Sequence, residues 1–181
     1  MSLAHAIMTA VLDGELTGYE LAKRFDTSLG FFWQASHQQI YRELKSLSQK
    51  NYLSSRAVSQ EKRPDKTVYR LTPTGYECLR QWVHDSTKPR IAKDELFIKL
   101  YNLSEENLAA LIQEVQERRE HVQRNLALYY RIREKNYASF SALSTRMKGV
   151  SLVLDAGIRD AESILAWCEH SLDRLDQVKS S

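Results

Sequence analysis

Three side chains in one short stretch have the chemistry to tell one base pair from another. In Ser36-His37-Gln38-Gln39-Ile40-Tyr41-Arg42-Glu43-Leu44-Lys45-Ser46-Leu47, Gln38, Gln39 and Arg42 can each form paired hydrogen bonds to base edges in a DNA major groove. Ser36, Tyr41 and Lys45 bring the hydroxyl and ammonium donors that hold phosphates, and His37 shares the same turn. The surrounding charge suits a polyanion. Between Gln38 and Leu71 eight bases (Arg42, Lys45, Lys50, Arg56, Lys62, Arg63, Lys66 and Arg70) stand against three acids (Glu43, Glu61 and Asp65), a net +5 in a chain that totals +3. The excess is local, as a phosphate-binding surface requires. Charge alone fits equally a solvated helix face and a hairpin whose basic residues keep its edges from pairing with other chains. The elements that position the charge must decide.

Ser36 followed three residues later by Gln39 is capping-box spacing and predicts a helix beginning at His37. Ile40, Leu44 and Leu47 recur at i, i+4 and i+7, so one stripe faces a core and the polar residues face out. After a turn at Lys50-Asn51, Tyr52–Val58 and Thr67–Leu71 read as a β-hairpin whose tip carries Lys62, Arg63 and Lys66, placed to reach the DNA backbone or an adjacent minor groove. A capped helix followed by a basic hairpin is the pattern of a winged helix-turn-helix. Upstream, Leu3–Leu12 forms a first helix with Leu3, Ile7, Ala10 and Val11 on one face, closed by Asp13-Gly14-Glu15. Thr17 and Glu20 repeat the capping-box spacing before a second helix, Gly18–Phe25, with Leu21 and Phe25 inward. Tyr19 stands near its start, where it could meet a phosphate or simply pack. Phe31-Phe32-Trp33 lies in the connection; at least one plugs the core, and the others are open to an interface or effector pocket. Thr72-Pro73 starts a further helix, with Tyr76, Leu79, Trp82 and Val83 as its apolar face.

Ser86–Arg90 breaks the pattern, dividing a DNA-binding domain over 1–88 from a helical domain over 89–181. Asp94–Tyr101 is a short helix, and Ser104 is positioned to cap a longer one with Glu105 and Glu106 in its first turn. From there to about Phe140, Leu108, Ile112, Val115, Val122, Leu126 and Tyr129 follow 4-3 spacing, interrupted by Arg119. A last helix runs to about Val178 with Met147, Val150, Leu154, Ala161, Leu165, Cys168, Leu172 and Leu175 in a near seven-residue repeat, Gly157 filling one seam position. Two such seams predict a coiled-coil hairpin that pairs with a second copy, giving a homodimer. The competing arrangement is a hairpin folded back on its own first domain. The fold class is therefore mainly α with a small β-hairpin wing: an N-terminal winged helix-turn-helix and a C-terminal long-helix coiled-coil dimerisation domain.

Composition excludes several classes. A 43% hydrophobic content supports a core, and 27% charged residues argue for a soluble, cytoplasmic protein. No segment approaches the roughly 20 apolar residues that span a bilayer, and Met1–Leu12 lacks the basic start of a secretory signal. Cys78 and Cys168 lie far apart and read as thiols in a reducing compartment. The five histidines are scattered, and no phosphate-cradling glycine loop occurs, so no catalytic or metal residues and no cofactor are expected. Double-stranded DNA is the expected partner; the alternative is a helical dimer whose winged helix binds protein and not DNA.

Gly18-Tyr19-Glu20-Leu21, Gln39-Ile40-Tyr41-Arg42-Glu43-Leu44, Leu53 and Tyr69-Arg70-Leu71-Thr72-Pro73-Thr74-Gly75, in that order, resemble the PadR family of winged helix-turn-helix transcriptional regulators. Asp94–Tyr101, Tyr129-Tyr130 and Ser163–Glu169 resemble the helical C-terminal domain of the AphA-like virulence-activator branch. Together they cover nearly the whole chain. The resemblance implies a homodimeric bacterial regulator, joined by an antiparallel coiled coil, that offers one recognition helix to each half of a near-palindromic operator. The family contains both repressors and activators, so it does not imply the sign of regulation. Some members bind small aromatic molecules, and Phe31, Phe32, Trp33 and Trp82 are the aromatics to examine for such an effector.

Overall fold

The computed structural model describes residues 3–27, 33, 35–59, 65–87 and 93–179. It divides into two compact units, Met1–Pro89 and Arg90–Ser181. The wing-tip residues Lys62 and Arg63, and Phe31 and Phe32, lie outside the described residues.

In the first unit the order is α1 (Leu3–Ala10), β1 (Leu16–Thr17), α2 (Gly18–Thr27), α3 (His37–Gln49), β2 (Leu53–Val58), β3 (Lys66–Leu71) and α4 (Pro73–Trp82). Three helices bury one stripe each: Ile7, Met8 and Val11 at α1, Leu21, Ala22 and Phe25 from α2, and Ile40, Leu44 and Leu47 from α3. Leu53, Leu71 and Leu79 close this core, and Trp33 packs against it half-buried. At roughly 1.5–3 kcal/mol per fully buried large apolar side chain, the α3 stripe alone fixes which face of that helix is left to solvent. The sheet runs β1-β3-β2, all antiparallel, with Leu53 opposite Leu71 and Val58 opposite Lys66. β1 is absent from the sequence reading because two residues give no alternation to detect; Leu16 pairs with Tyr69 and Thr17 with Val68. Along α4 the expected apolar face is corrected: Gly75 and Leu79 are buried, Trp82 is half-buried, and Tyr76 and Val83 are exposed.

The second unit holds α5 (Glu95–Tyr101), α6 (Leu108–Tyr137), a single 3₁₀ turn (Phe140–Ala142) and α7 (Thr145–Lys179). Asp94 caps α5 by accepting from the Leu96 N–H at 3.1 Å and is clasped by both terminal nitrogens of Arg118 on α6. That guanidinium holds the Asp94 carboxyl below its ordinary pKa. Phe97 stacks edge-on against Trp167, and Arg118 lies over the Phe97 ring. The expected Ser104 cap does not form. Ser104 donates its N–H to Asn107 Oδ1 at 2.9 Å, residues 105–107 make a turn, and the helix starts at Leu108.

α6 and α7 pair along their length, and Leu96, Leu108, Leu111, Val115, Cys168, Leu172 and Leu175 form one core. Val122, Leu126, Leu154 and Ala161 are likewise buried within the single chain. Three positions differ from the expected seams: Leu111 is buried where Ile112 is half-buried, Ile158 is buried while Leu165 is half-buried, and Val150 is exposed. Leu111 and Ile112 are adjacent apolar residues, so periodicity alone cannot choose between them. Gly157 is not required by packing, since a Cβ there would meet Tyr129 at an ordinary 3.9 Å. Among the described residues, no helix is long and apolar enough to cross a membrane.

Candidate nucleic-acid interface

The start of α3 is fixed by three polar contacts. Ser36 Oγ accepts from the Gln39 N–H at 3.2 Å, and Gln39 Oε1 accepts from the Ser36 N–H at 2.8 Å, completing the capping box. His37 Nε2 donates to Asp26 Oδ2 at 2.9 Å, tying the end of α2 to the first turn of α3. α2 is capped in the same way: Thr17 N–H donates to Glu20 Oε2 at 2.8 Å, and Thr17 Oγ1 accepts from the Glu20 N–H at 3.1 Å. These bonds from the Thr17 amide and hydroxyl hold the Glu20 carboxyl below its usual range. Gly18, at the first position of α2, lies under the Tyr41 ring, where a Cβ would come within 2.5 Å of Tyr41 Cε1. The two helices therefore approach through a glycine that no larger residue could replace without moving Tyr41.

The far end of α3 sets the wing. Asn51 takes a left-handed φ of 58°, Tyr52 N–H donates to Leu47 O, and Asn51 N–H donates to Ser48 O. This double closure is a Schellman turn, and asparagine tolerates the required φ. Where β3 ends, Thr72 Oγ1 donates to Asn51 O at 2.6 Å and accepts from the Gly75 N–H at 3.0 Å. A Cβ on Gly75 would meet Tyr52 O at 2.3 Å, so the start of α4 presses directly on the turn between α3 and β2. One hydroxyl and one glycine thus lock the hairpin to the helix before it.

With its ends tied and its apolar stripe buried, α3 presents Gln38, Arg42 and Lys45 outward at 4-3 spacing, all exposed. No hydrogen bond or ion pair to a described residue engages these three. Gln39 differs from them. Its amide oxygen already accepts from the Ser36 N–H, so the donor-plus-acceptor pairing that a glutamine makes with adenine competes with the cap. Ser36 and His37 are exposed but engaged in the contacts above, Tyr41 is half-exposed against Gly18, and Tyr19 is exposed on α2. On the wing Lys66 is exposed at the start of β3. Arg56, counted among the local bases, donates to Glu15 at 2.6 Å and holds that carboxyl low, so this base is already answered. Burial, with Tyr41 nearby, pushes the Tyr69 phenol up.

Of the remaining candidates, Trp82 stacks on His5 at 4.5 Å and Trp33 packs on the core, which accounts for both as packing residues. Leu108, Val115, Val122, Leu126, Leu154, Ala161, Cys168 and Leu172 close the seam within one chain, with Ile112 and Leu165 at its half-buried margin. The apolar residues still exposed on the second unit include Ile98 and Tyr101 on α5, and Val150, Leu152 and Val153 on α7. Sequence reasoning passed over Ile98, Leu152 and Val153. Among the described residues, no group of three or more His, Cys, Asp or Glu side chains could hold a metal ion.

Comparisons with known proteins agree with this arrangement. Residues 7–81 match the transcriptional regulator PadR-like family, and residues 92–176 match the virulence activator alpha C-term family. A probable transcriptional regulator of Mycobacterium tuberculosis is 33% identical over 99% of this chain and 100% of its own length. The negative transcriptional regulator PadR of Bacillus subtilis is 31% identical over 97% of this chain and 98% of its own. The crystal structure of that PadR in complex with operator DNA matches at a TM-score of 0.77, covering 96% of this chain and 98% of that one at 29% identity. Its complex with p-coumaric acid matches at a TM-score of 0.71, with 30% identity and coverage of 96% and 98%. The Vibrio cholerae virulence activator AphA matches at a TM-score of 0.77 and 28% identity, covering 98% of this chain and 99% of that one.

Proposed function

This chain belongs to the PadR-like family of transcriptional regulators, and on that premise we propose that it binds a near-palindromic operator as a homodimer, one recognition helix to each half-site. The observation that carries this reading is the α3 stripe: Gln38, Arg42 and Lys45 are exposed, and none is engaged by a described protein group. Gln38 and Arg42 read base edges. Lys45, Tyr41, Tyr19 and Lys66, with Lys62 and Arg63 of the wing, hold phosphates and set the register. Ser36, His37 and Gln39 lie against the DNA as the fixed first turn. The domain over 1–88 carries the DNA contacts and that over 89–181 the pairing. A dimer uses apolar surface that the seam leaves open, with Ile112, Leu165, Val150, Leu152 and Val153 the side chains that support it. The protein acts in the cytoplasm, where its DNA lies.

The Bacillus subtilis relative was solved with p-coumaric acid, which supports a small aromatic acid as effector of this chain too. Selecting bound fragments from sheared genomic DNA at about physiological salt tests the function. An enriched inverted repeat with half-sites about one helical turn apart, or a multiple of that, is the expected result. Recovery without sequence preference contradicts it and favours a winged helix that binds protein. Release of the selected site on adding p-coumaric acid tests the effector.

A further inference from the structure

A guanidinium sits where the seam of the α6–α7 hairpin asks for an apolar side chain. Val115, Arg119, Val122, Leu126 and Tyr129 follow 4-3 spacing along α6, and every member but Arg119 is buried. Arg119 is half-buried, and its Nε–H is wholly buried with no acceptor among the described residues. The neighbouring Arg118 is answered by Asp94. Lys93, Arg131, Arg174 and Lys179 also meet no carboxylate among the described residues, but each is exposed to water, and the half-buried Lys148 rests on the Phe140 ring. A buried donor without a partner is costly, and a polar group in a coiled-coil seam gives up stability in exchange for register and partner choice.

A charge of the opposite sign stands near it. Burial pushes the Cys168 thiol of α7 up; Arg118 and Arg119 act against that push and Glu169 adds to it, which places the Arg119 guanidinium and the Glu169 carboxylate at one level of the hairpin. Glu169 is exposed and makes no ion pair among the described residues. Each of the two shares a helix face with a half-buried apolar residue: Ile112 lies seven residues before Arg119, and Leu165 four before Glu169. In a two-fold interface a patch meets its own copy, so that residue i of one chain faces j of the other and j faces i. Two opposite charges at one level of a hairpin satisfy that rule with a single axis between them.

We infer that Arg119 is completed by Glu169 of the partner subunit, twice across the two-fold axis, and that this pair fixes the register in which the hairpins join. The inference rests on the homodimer proposed above. A second copy fits better than a small anion does. An anion would neutralise Arg119 and leave Glu169 unused, with Ile112 and Leu165 still half-exposed beside them. A paired hairpin covers all four. An ion pair shut inside an interface contributes little net affinity, but it penalises every register that leaves one charge alone.

The test uses two variants of the full-length protein, Arg119→Glu and Glu169→Arg, each alone and then mixed and equilibrated, followed by sedimentation equilibrium over a range of concentration. Each alone sets like charges together twice, and its dimer dissociation constant is expected to rise roughly tenfold or more. The mixture is expected to recover wild-type dimerisation, because a dimer of one variant with the other matches both pairs. Weak association in the mixture overturns the inference, and recovery in the double variant Arg119→Glu/Glu169→Arg would then put the pair within one chain. Wild-type dissociation constants for both single variants also overturn it, with the homodimer left standing. Should either variant lose helix content, Glu169→Gln takes its place: weaker dimers are expected on the wild-type background and no change on Arg119→Leu, and an equal effect on both backgrounds overturns the pairing. A wild type that stays monomeric at every concentration sinks the homodimer itself, and the pair with it.

Discussion

The outward face of α3 and the junction of α5 with α6 carry similar side chains and do opposite things with them. At the junction Arg118 lies two-thirds or more shielded, hydrogen-bonded twice to Asp94 and stacked over Phe97, while Lys99 meets Glu114. On α3, Arg42 and Lys45 are exposed and meet no described carboxylate. In the first setting the charge holds two helices together; in the second the helix is held by other means and its charge is left for something outside the chain. Whether a base is already answered says more about its role than its type or its place in a basic run. Arg56 makes the point within the wing itself, since its partner Glu15 removes it from the set that a bare count of charges would assign to DNA.

The largest effect belongs to the scaffold. Leu44→Ala opens the fully buried centre of the α3 stripe and should cost roughly 2–5 kcal/mol, read as a drop in the unfolding midpoint with operator binding lost as the first unit loosens. A smaller loss, about 1 kcal/mol, is expected for Gln39→Ala, which removes one half of the capping box. Its effect on DNA should be equal for matched and mismatched sites. Gly149→Ala should go the other way, raising stability by roughly 0.5–1 kcal/mol, because that glycine is inside α7 with nothing within 4 Å of a Cβ; an unchanged thermal midpoint would contradict it. The junction adds a pH effect. Asp94 titrates below its ordinary value, so the Arg118 contact is fully present at neutral pH and its stabilisation is lost as pH falls through the depressed pKa. In Asp94→Asn the acid side of the stability profile should flatten.

Much of this was readable from sequence because it is local. Ser36 and Gln39, Thr17 and Glu20, and Thr72 with Pro73 each announce a helix start within four residues, and all three caps are present. Ile40, Leu44 and Leu47 fall at helical spacing, and all three are buried. What escaped depends on residues distant in the chain. β1 exists only because β3 is there to pair with it. Ser104 looked like a cap, but Asn107 turns its side chain back to the Ser104 and Asn102 backbones instead. Gly18 and Gly75 stood in the sequence only as members of the resemblance motifs, without a physical reason, yet each is a point where Tyr41 or the Tyr52 carbonyl leaves no room for a side chain. For the candidate site, residue types marked the surface, but only the hydrogen bonds separate Gln39, engaged in the cap, from Gln38 and Arg42.

That separation is the central claim, and one measurement reaches it directly. Affinities of the wild type, Arg42→Ala and Gln39→Ala would be compared on the selected site and on sites with single base changes, at fixed salt. Arg42→Ala should lose about 1–3 kcal/mol on the matched site and far less on the site altered at the base pair it reads, relaxing specificity there. Gln39→Ala should weaken every site alike. If Gln39→Ala relaxes specificity and Arg42→Ala lowers all affinities uniformly, the cap does not decide which side chains read the bases, and the assignment made from the α3 contacts is wrong.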